Sequence, residues 1–212
     1  MAIANFLKPL NVVGLPAAVA VGPPGGAPAA TNTLAGFSVQ TQQQSEWCWA
    51  AVSTSVAVFY GSTQWTQCLV ATAELHPLDC CGADASTGCN QPWSLDTALS
   101  AVGHFDRLVW SSVLFADVTN EINAGRPLGC RIQWTGGGAH FVALGGWSTT
   151  VDGTEYVDVF DPYYGYVQKV YNDFVSAYKA PGDQWTHSYF TTAAQTVAGG
   201  GPARVMASPI SA

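Results

Sequence analysis

Charge is the scarcest resource in this chain. Seven Lys and Arg face fourteen Asp and Glu, so charged residues make up 10% of 212 positions and the net charge is −7. An average soluble protein carries about 25% charged residues. Seven scattered cations leave no basic stripe, which excludes a nucleic-acid footprint. No apolar run of membrane-spanning length is free of Pro and Gly, which excludes a transmembrane helix on sequence grounds. There is no Cys-x-x-Cys pair and no internal repeat. Apolar residues, by contrast, reach 48%, with eight Trp, eight Tyr and nine Phe. That is ample material for a core and excludes disorder as the main state. Length sets one domain with tails. Low charge and six Cys lean toward an exported protein.

Residues 1–36 read as a flexible leader. Pro9, Pro16, Pro23, Pro24 and Pro28 interrupt a stretch rich in Ala and Gly. A secretory signal is the rival: Leu10 to Val21 is a weak apolar region and Ala27-Pro28-Ala29 loosely resembles a cleavage site, but Lys8 is the only basic residue before them. A pro-segment is a further option for the same residues. Ala193 to Ala212, with Gly199-Gly200-Gly201-Pro202, reads as a loose tail, leaving a body of 37–192.

In that body, residues 46–125 read as helical. Cys48 to Tyr60 is apolar nearly all round, as a buried helix is, and stops at Gly61. Trp65 to Leu75, Ser94 to Val102 and Asp117 to Ala124 are further short helices, Ser94 serving as an N-cap. Residues 128–192 read as strands: Leu128 to Trp134, His140 to Trp147, Thr154 to Phe160, Tyr166 to Tyr171 and Gln184 to Thr191, with a helical insertion at Asn172 to Tyr178. Asp152-Gly153 marks a hairpin turn. Helices followed by an antiparallel sheet predict an α+β fold of two halves with a cleft between them.

The densest chemical signal is Gln42-Gln43-Gln44-Ser45-Glu46-Trp47-Cys48-Trp49-Ala50-Ala51. A Cys opening a buried helix has its thiolate stabilised by backbone N–H groups and the helix dipole, and the thiolate is the nucleophilic form. Gln42, six residues upstream, can supply an amide that forms an oxyanion hole with the Cys48 N–H. The plainer alternative is a buried apolar or disulfide Cys48 and a surface Gln42. A base is needed, and the four His are His76, His104, His140 and His187. His140 starts a strand after three glycines. In a hairpin centred just before Asp152-Gly153, Asp161 falls roughly opposite His140, where it can hold the imidazole's tautomer while the other nitrogen faces Cys48. Asp158 and Asp152 compete for that role. The plainer alternative for Asp161 is a turn residue before Pro162, and for His140 a satisfied polar residue.

Gln42, Trp47-Cys48-Trp49-Ala50-Ala51, Thr66-Gln67-Cys68, Asp79-Cys80-Cys81, Cys89-Asn90-Gln91-Pro92, His140-Phe141-Val142 and Asp161-Pro162, in that order over about residues 40–165, resemble the bacterial papain-like cysteine peptidases of the AvrRpt2 type (peptidase family C70). The resemblance implies a papain-like fold, Cys48 as nucleophile, His140 as general base and acid, Asp161 as its orienting partner and a Gln in the oxyanion hole. Three consecutive glutamines compete for that place, and the six-residue offset selects Gln42. The Cys-Gly-Ser-Cys-Trp run of papain itself is not present around Cys48.

The clustered Cys68, Cys80, Cys81 and Cys89 suit two disulfides. Cys68 with Cys80 and Cys81 with Cys89 is one pairing, in a connectivity that sequence leaves open. A zinc site of Cys68, His76, Cys80 or Cys81, and Cys89 is the rival, weakened by irregular spacing. Cys130 reads as a buried thiol. The expected enzyme is thus a cysteine endopeptidase needing no metal or organic cofactor, acting as a monomer on protein or peptide substrates, with no nucleic-acid or membrane partner, and exported, as a delivered effector or otherwise. Two alternatives stand beside it. One is an acyltransferase of transglutaminase type using the same Cys-His-Asp set; the other is a non-catalytic secreted binding module or toxin.

Overall fold

The computed structural model describes residues 28–82 and 88–193. Among the described residues five helices, α1 (Cys48–Phe59), α2 (Gln67–Glu74), α3 (Leu95–Ala101), α4 (Phe115–Asn123) and α5 (Tyr171–Ser176), combine with seven strands. The strands are β1 (Pro28–Thr33), β2 (Phe105–Val109), β3 (Leu128–Gln133), β4 (Ala139–Thr150), β5 (Glu155–Asp161), β6 (Gly165–Val170) and β7 (Gln184–Thr191). They form one antiparallel sheet in the order β2-β7-β3-β4-β5-β6, with β1 also on β4. The α+β class follows.

α1 is the core helix. Ten of its twelve residues, from Cys48 to Ala57, are buried. Ser53 and Ser55 return their hydroxyls to the carbonyls of Trp49, Ala50 and Ala51, while the buried Thr54 hydroxyl has no partner among the described residues. α1 packs against α2, α3 and β4, which fixes the position of its first residue, Cys48.

β4 is long enough to serve two neighbours end to end on one side. Leu128–Gln133 of β3 pairs with Ala139–Leu144, and β1 pairs with Gly146–Thr150. Gly146 makes this possible. A Cβ there would lie 2.1 Å from Asp158 Oδ2 and 2.8 Å from Thr33 Oγ1. The space is used by Asp158, which is buried on β5 and accepts from Thr33 Oγ1, Tyr166 OH and Gln168 Nε2.

Three sequence expectations need correction. The leader was expected to run to residue 36, but the chain joins the sheet from Pro28; residues 1–27 and the expected tail from 194 lie outside the described residues. β1 escapes sequence patterning because PAATNT is exposed at five of six positions. The stretch expected to be helical over 46–125 contains β2, an edge strand paired with β7 whose Asp106 and Arg107 face solvent. The disulfides are Cys68–Cys81 and Cys80–Cys89, not the pairing considered above. The reason is orientation: Cys80 and Cys89 are each 1% exposed and meet inside, while Cys81 faces outward and meets the half-buried Cys68. Four bridged sulfurs also rule out the zinc site, since zinc takes thiolates.

Candidate active site

Trp47 ends the loop before α1 and Cys48 opens the helix, 9% exposed. The loop is pinned by its neighbours. Trp47 Nε1 donates to Cys89 O at 2.7 Å and Trp49 Nε1 to Gln91 O at 3.1 Å. Asn90 accepts from Glu46 N and donates to Ser45 Oγ, both at 2.9 Å. The Cys80–Cys89 bridge therefore anchors the segment that holds the loop before Cys48.

His140 sits across the cleft on β4. The turn from Trp134 to Gly138, closed by Trp134 N donating to Gly138 O at 3.1 Å, needs positive φ at Gly137 (93°) and Gly138 (78°), a conformation glycine adopts without strain. It turns β3 back into β4 and leaves Trp134 stacked on the His140 ring, with centroids 5.7 Å apart and planes at 17°. Tyr164 meets the same imidazole edge-on at 6.3 Å.

His140 Nε2 lies 2.8 Å from Asp161 Oδ1. The hairpin differs from the sequence expectation in register. Ala143 faces Phe160, so Asp161 lies one step further on, level with Val142, and a bulge separates Leu144 from Gly146. His140 and Asp161 are thus diagonal neighbours on one face rather than direct partners, still within reach across a strand pair. Asp161 is 1% exposed and fully engaged. Oδ1 also accepts from Tyr163 N at 2.7 Å and Tyr164 N at 2.9 Å, and Oδ2 from Tyr178 OH at 2.7 Å.

These contacts set the electrostatics. Burial alone would push the imidazole down, but the hydrogen bond to Asp161 and the neighbouring Cys48 thiol outweigh it and hold His140 at about 9. For Asp161, burial pushes up and is outweighed by the bond to His140 and by the backbone and tyrosyl donors, so its carboxyl is held low. With Nε2 committed to Asp161, Nδ1 is the nitrogen left for Cys48.

Gln42 lines the same cavity of about 390 Å³ as Cys48, His140 and Trp134. Its backbone N–H donates to Pro162 O at 2.9 Å, tying it to the turn after Asp161. Its Nε2 donates to Gln44 O at 2.9 Å and Ser45 O at 2.6 Å, and its Oε1 is buried without a partner among the described residues. Both amide protons are therefore drawn to its own loop, and donation to a substrate oxygen requires one of those bonds to be shared. Gln43 and Gln44 do not reach the cavity that holds Cys48 and His140.

The other candidates lie elsewhere. His104 stacks on Tyr60 and its Nδ1 pairs with Thr192 O at 2.9 Å. His187 is on β7, and His76 precedes Pro77 in the loop after α2. Asp152 bonds to Thr150 in the β4–β5 turn, and Asp158 serves the sheet. Two contributors escaped sequence reasoning: Tyr178, which completes the Asp161 shell, and Asn90, which holds the loop before Cys48. Tyr178 follows a short helix with no pattern to mark it; Asn90 could have been found from its place beside Cys89.

A thiol at the mouth of a buried helix, facing an imidazole braced by a carboxylate from an antiparallel sheet, places the chain among the papain-like cysteine peptidases. The particular family follows: the family model described as papain-like cysteine protease AvrRpt2 matches residues 31–179, and the chain belongs to that family of cysteine peptidases. No curated protein matches it. Among solved structures it is similar to the proform of Amb a 11, a cysteine protease and major ragweed pollen allergen, with a TM-score of 0.44 and 12% identity. That likeness covers 78% of this chain, which spans 65% of the ragweed chain. No helix among the described residues is long and apolar enough to cross a membrane.

Proposed function

We propose that the protein is an endopeptidase working through Cys48, His140 and Asp161, with Gln42 and the Cys48 N–H as oxyanion donors. The observation that carries this is the His140–Asp161 pair at 2.8 Å, capped by Trp134 beside Cys48. The sulfur, as thiolate beside the imidazolium, attacks the carbonyl carbon of a peptide bond. The oxygen takes up the negative charge, stabilised by the Cys48 N–H and by Gln42 Nε2. His140 Nδ1 gives its proton to the departing amine as the C–N bond breaks and a thioester forms. Neutral His140 then takes a proton from water, which attacks the thioester and restores the thiolate–imidazolium pair with release of the acid. Asp161 stays ionised throughout and stabilises the imidazolium. Trp134 shields the pair from water, which strengthens the interaction. Two disulfides fit an oxidising compartment, so we place the working protein outside the cytosol as a monomer acting on polypeptides.

The test is digestion of an unfolded protein such as reduced, alkylated casein, with products read by mass spectrometry. Wild type yields internal cleavages and Cys48→Ala none. Cleavage retained in Cys48→Ala refutes the mechanism. Amide products formed with an added primary amine, in preference to free acids, would assign acyl transfer instead.

A further inference from the structure

The cleft continues past Cys48 into a second cavity of about 260 Å³, whose lining includes Cys48, Trp49, Trp93, Arg131 and Phe141. Beyond it a third, of about 250 Å³, shares Trp93, Arg131 and Phe141 and adds Trp110, His187 and Tyr189. Arg131 is common to both. It lies on β3, directly between Phe141 of β4 and His187 of β7, so a cation stands in the middle of an aromatic row. Its guanidinium donates to Thr186 Oγ1 and Gln133 Oε1, both at 2.9 Å and both neutral. Glu46 and Asp96 are the carboxylates lining these cavities. Among the described residues, neither they nor any other acid lies within ion-pair distance of Arg131.

A guanidinium has five donors and is always charged. Two neutral acceptors hold Arg131 in place but do not balance its charge. The chain has seven cations in all, and this one stands in a partly desolvated, aromatic-walled pocket that opens onto the nucleophile. Such a position suits an incoming carboxylate, which makes charge-assisted and bidentate bonds with arginine.

We infer that Arg131 and its aromatic walls form a substrate subsite for a carboxylate, borne by a residue within about two positions of the scissile bond, the reach of one cavity at about 3.5 Å per residue. This rests on the peptidase function proposed above. The carboxylate belongs to an Asp or Glu side chain or to the free C-terminus of a short product-length peptide; the chemistry is shared. Trp93 and Trp110, 40% and 77% exposed, offer flat apolar surface to the neighbouring part of the peptide.

The experiment starts from one cleavage site found in a peptide-library digest. Matched peptides then carry Glu, Gln or Lys at each of three positions on either side of the bond, each made with a free acid and with an amidated C-terminus, all several residues longer than the subsite in one series and ending within it in the other. Wild type should cleave the Glu peptide about tenfold or more faster in kcat/KM than its Gln isostere at one position, the range expected for a hydrogen bond to a charged group. A large free-acid preference confined to the short series would assign the C-terminal carboxylate instead. Arg131→Gln should bring the Glu/Gln ratio near one, and Arg131→Glu should turn the preference toward Lys. Equal cleavage of Glu and Gln peptides at every position with no free-acid preference, or a ratio unchanged in Arg131→Gln, overturns the subsite while leaving the peptidase standing. The wild-type ratio decides alone if a variant fails to fold. No cleavage of any peptide or of casein by the wild type overturns the peptidase function itself, and this subsite with it.

Discussion

Asp161→Asn removes one negative charge and little else. Asn is isosteric, its carbonyl can accept from His140 Nε2, Tyr163 N and Tyr164 N, and its amide can donate to the Tyr178 oxygen. What disappears is the charge facing the imidazolium at 2.8 Å. His140 is raised from 6.5 to about 9. At about 1.4 kcal/mol per pH unit, that rise corresponds to about 3 kcal/mol of imidazolium stabilisation, shared between Asp161 and Cys48. If about half leaves with the charge, kcat/KM falls about tenfold or somewhat more. The sign of the pH effect is fixed. The active form needs imidazolium, so wild-type activity should fall on the alkaline side as pH passes about 9. In Asp161→Asn that limb should move toward neutrality by about one pH unit or more. The same pair gives the fold its own pH dependence: stability from His140 is whole below 6.5 and lost as pH rises through about 9. Stability from Asp161 is whole above 3.8 and lost as pH falls through its lowered value. The assay is kcat/KM on a fluorogenic peptide from pH 5 to 10, with thermal melts beside it. An alkaline limb that stays put in Asp161→Asn would refute the role given to this carboxylate.

Two further predictions concern the scaffold. Replacing Cys80 and Cys89 together by Ser should lower stability by about 2–4 kcal/mol, and should slow alkylation of Cys48 because the Cys89–Gln91 segment anchors Trp47, Trp49 and Glu46; melts and alkylation rates check both. Gly146→Ala puts a methyl into the space of Asp158 Oδ2. Overpacking of this kind costs about 1–3 kcal/mol, readable as a lowered denaturant midpoint.

The parts of the molecule legible in the sequence are those where local pattern and burial agree. α1 is apolar on every side because it is surrounded, and β3, β4, β5 and β7 carry the β-branched and aromatic residues of buried strands. β1 and β2 were missed because their residues answer to an edge and to solvent, not to a core. The site shows the same division. Cys48 and His140 are marked by the helix start and the glycine turn. The partnership of His140 with Asp161 could be approached by counting residues about the hairpin, but the bulge in β4 shifts the count, and no periodicity announces it. The disulfide connectivity depends on which way Cys80 and Cys81 point, which only packing decides. Tyr178 and Arg131 come to the site from other segments, so neither Tyr178 beside Asp161 nor Arg131 in the cavity next to Cys48 could be placed without the sheet.

The most direct test of the central claim is the reactivity of the sulfur. Native protein is treated with iodoacetamide from pH 5 to 9, and the labelled cysteines are mapped by mass spectrometry in wild type and in His140→Ala. Cys48 should label quickly even at acidic pH in wild type, and that advantage should vanish in His140→Ala, while buried Cys130 stays slow in both. A Cys48 that labels only at alkaline pH, with the same profile whether or not His140 is present, would contradict the thiolate–imidazolium pair.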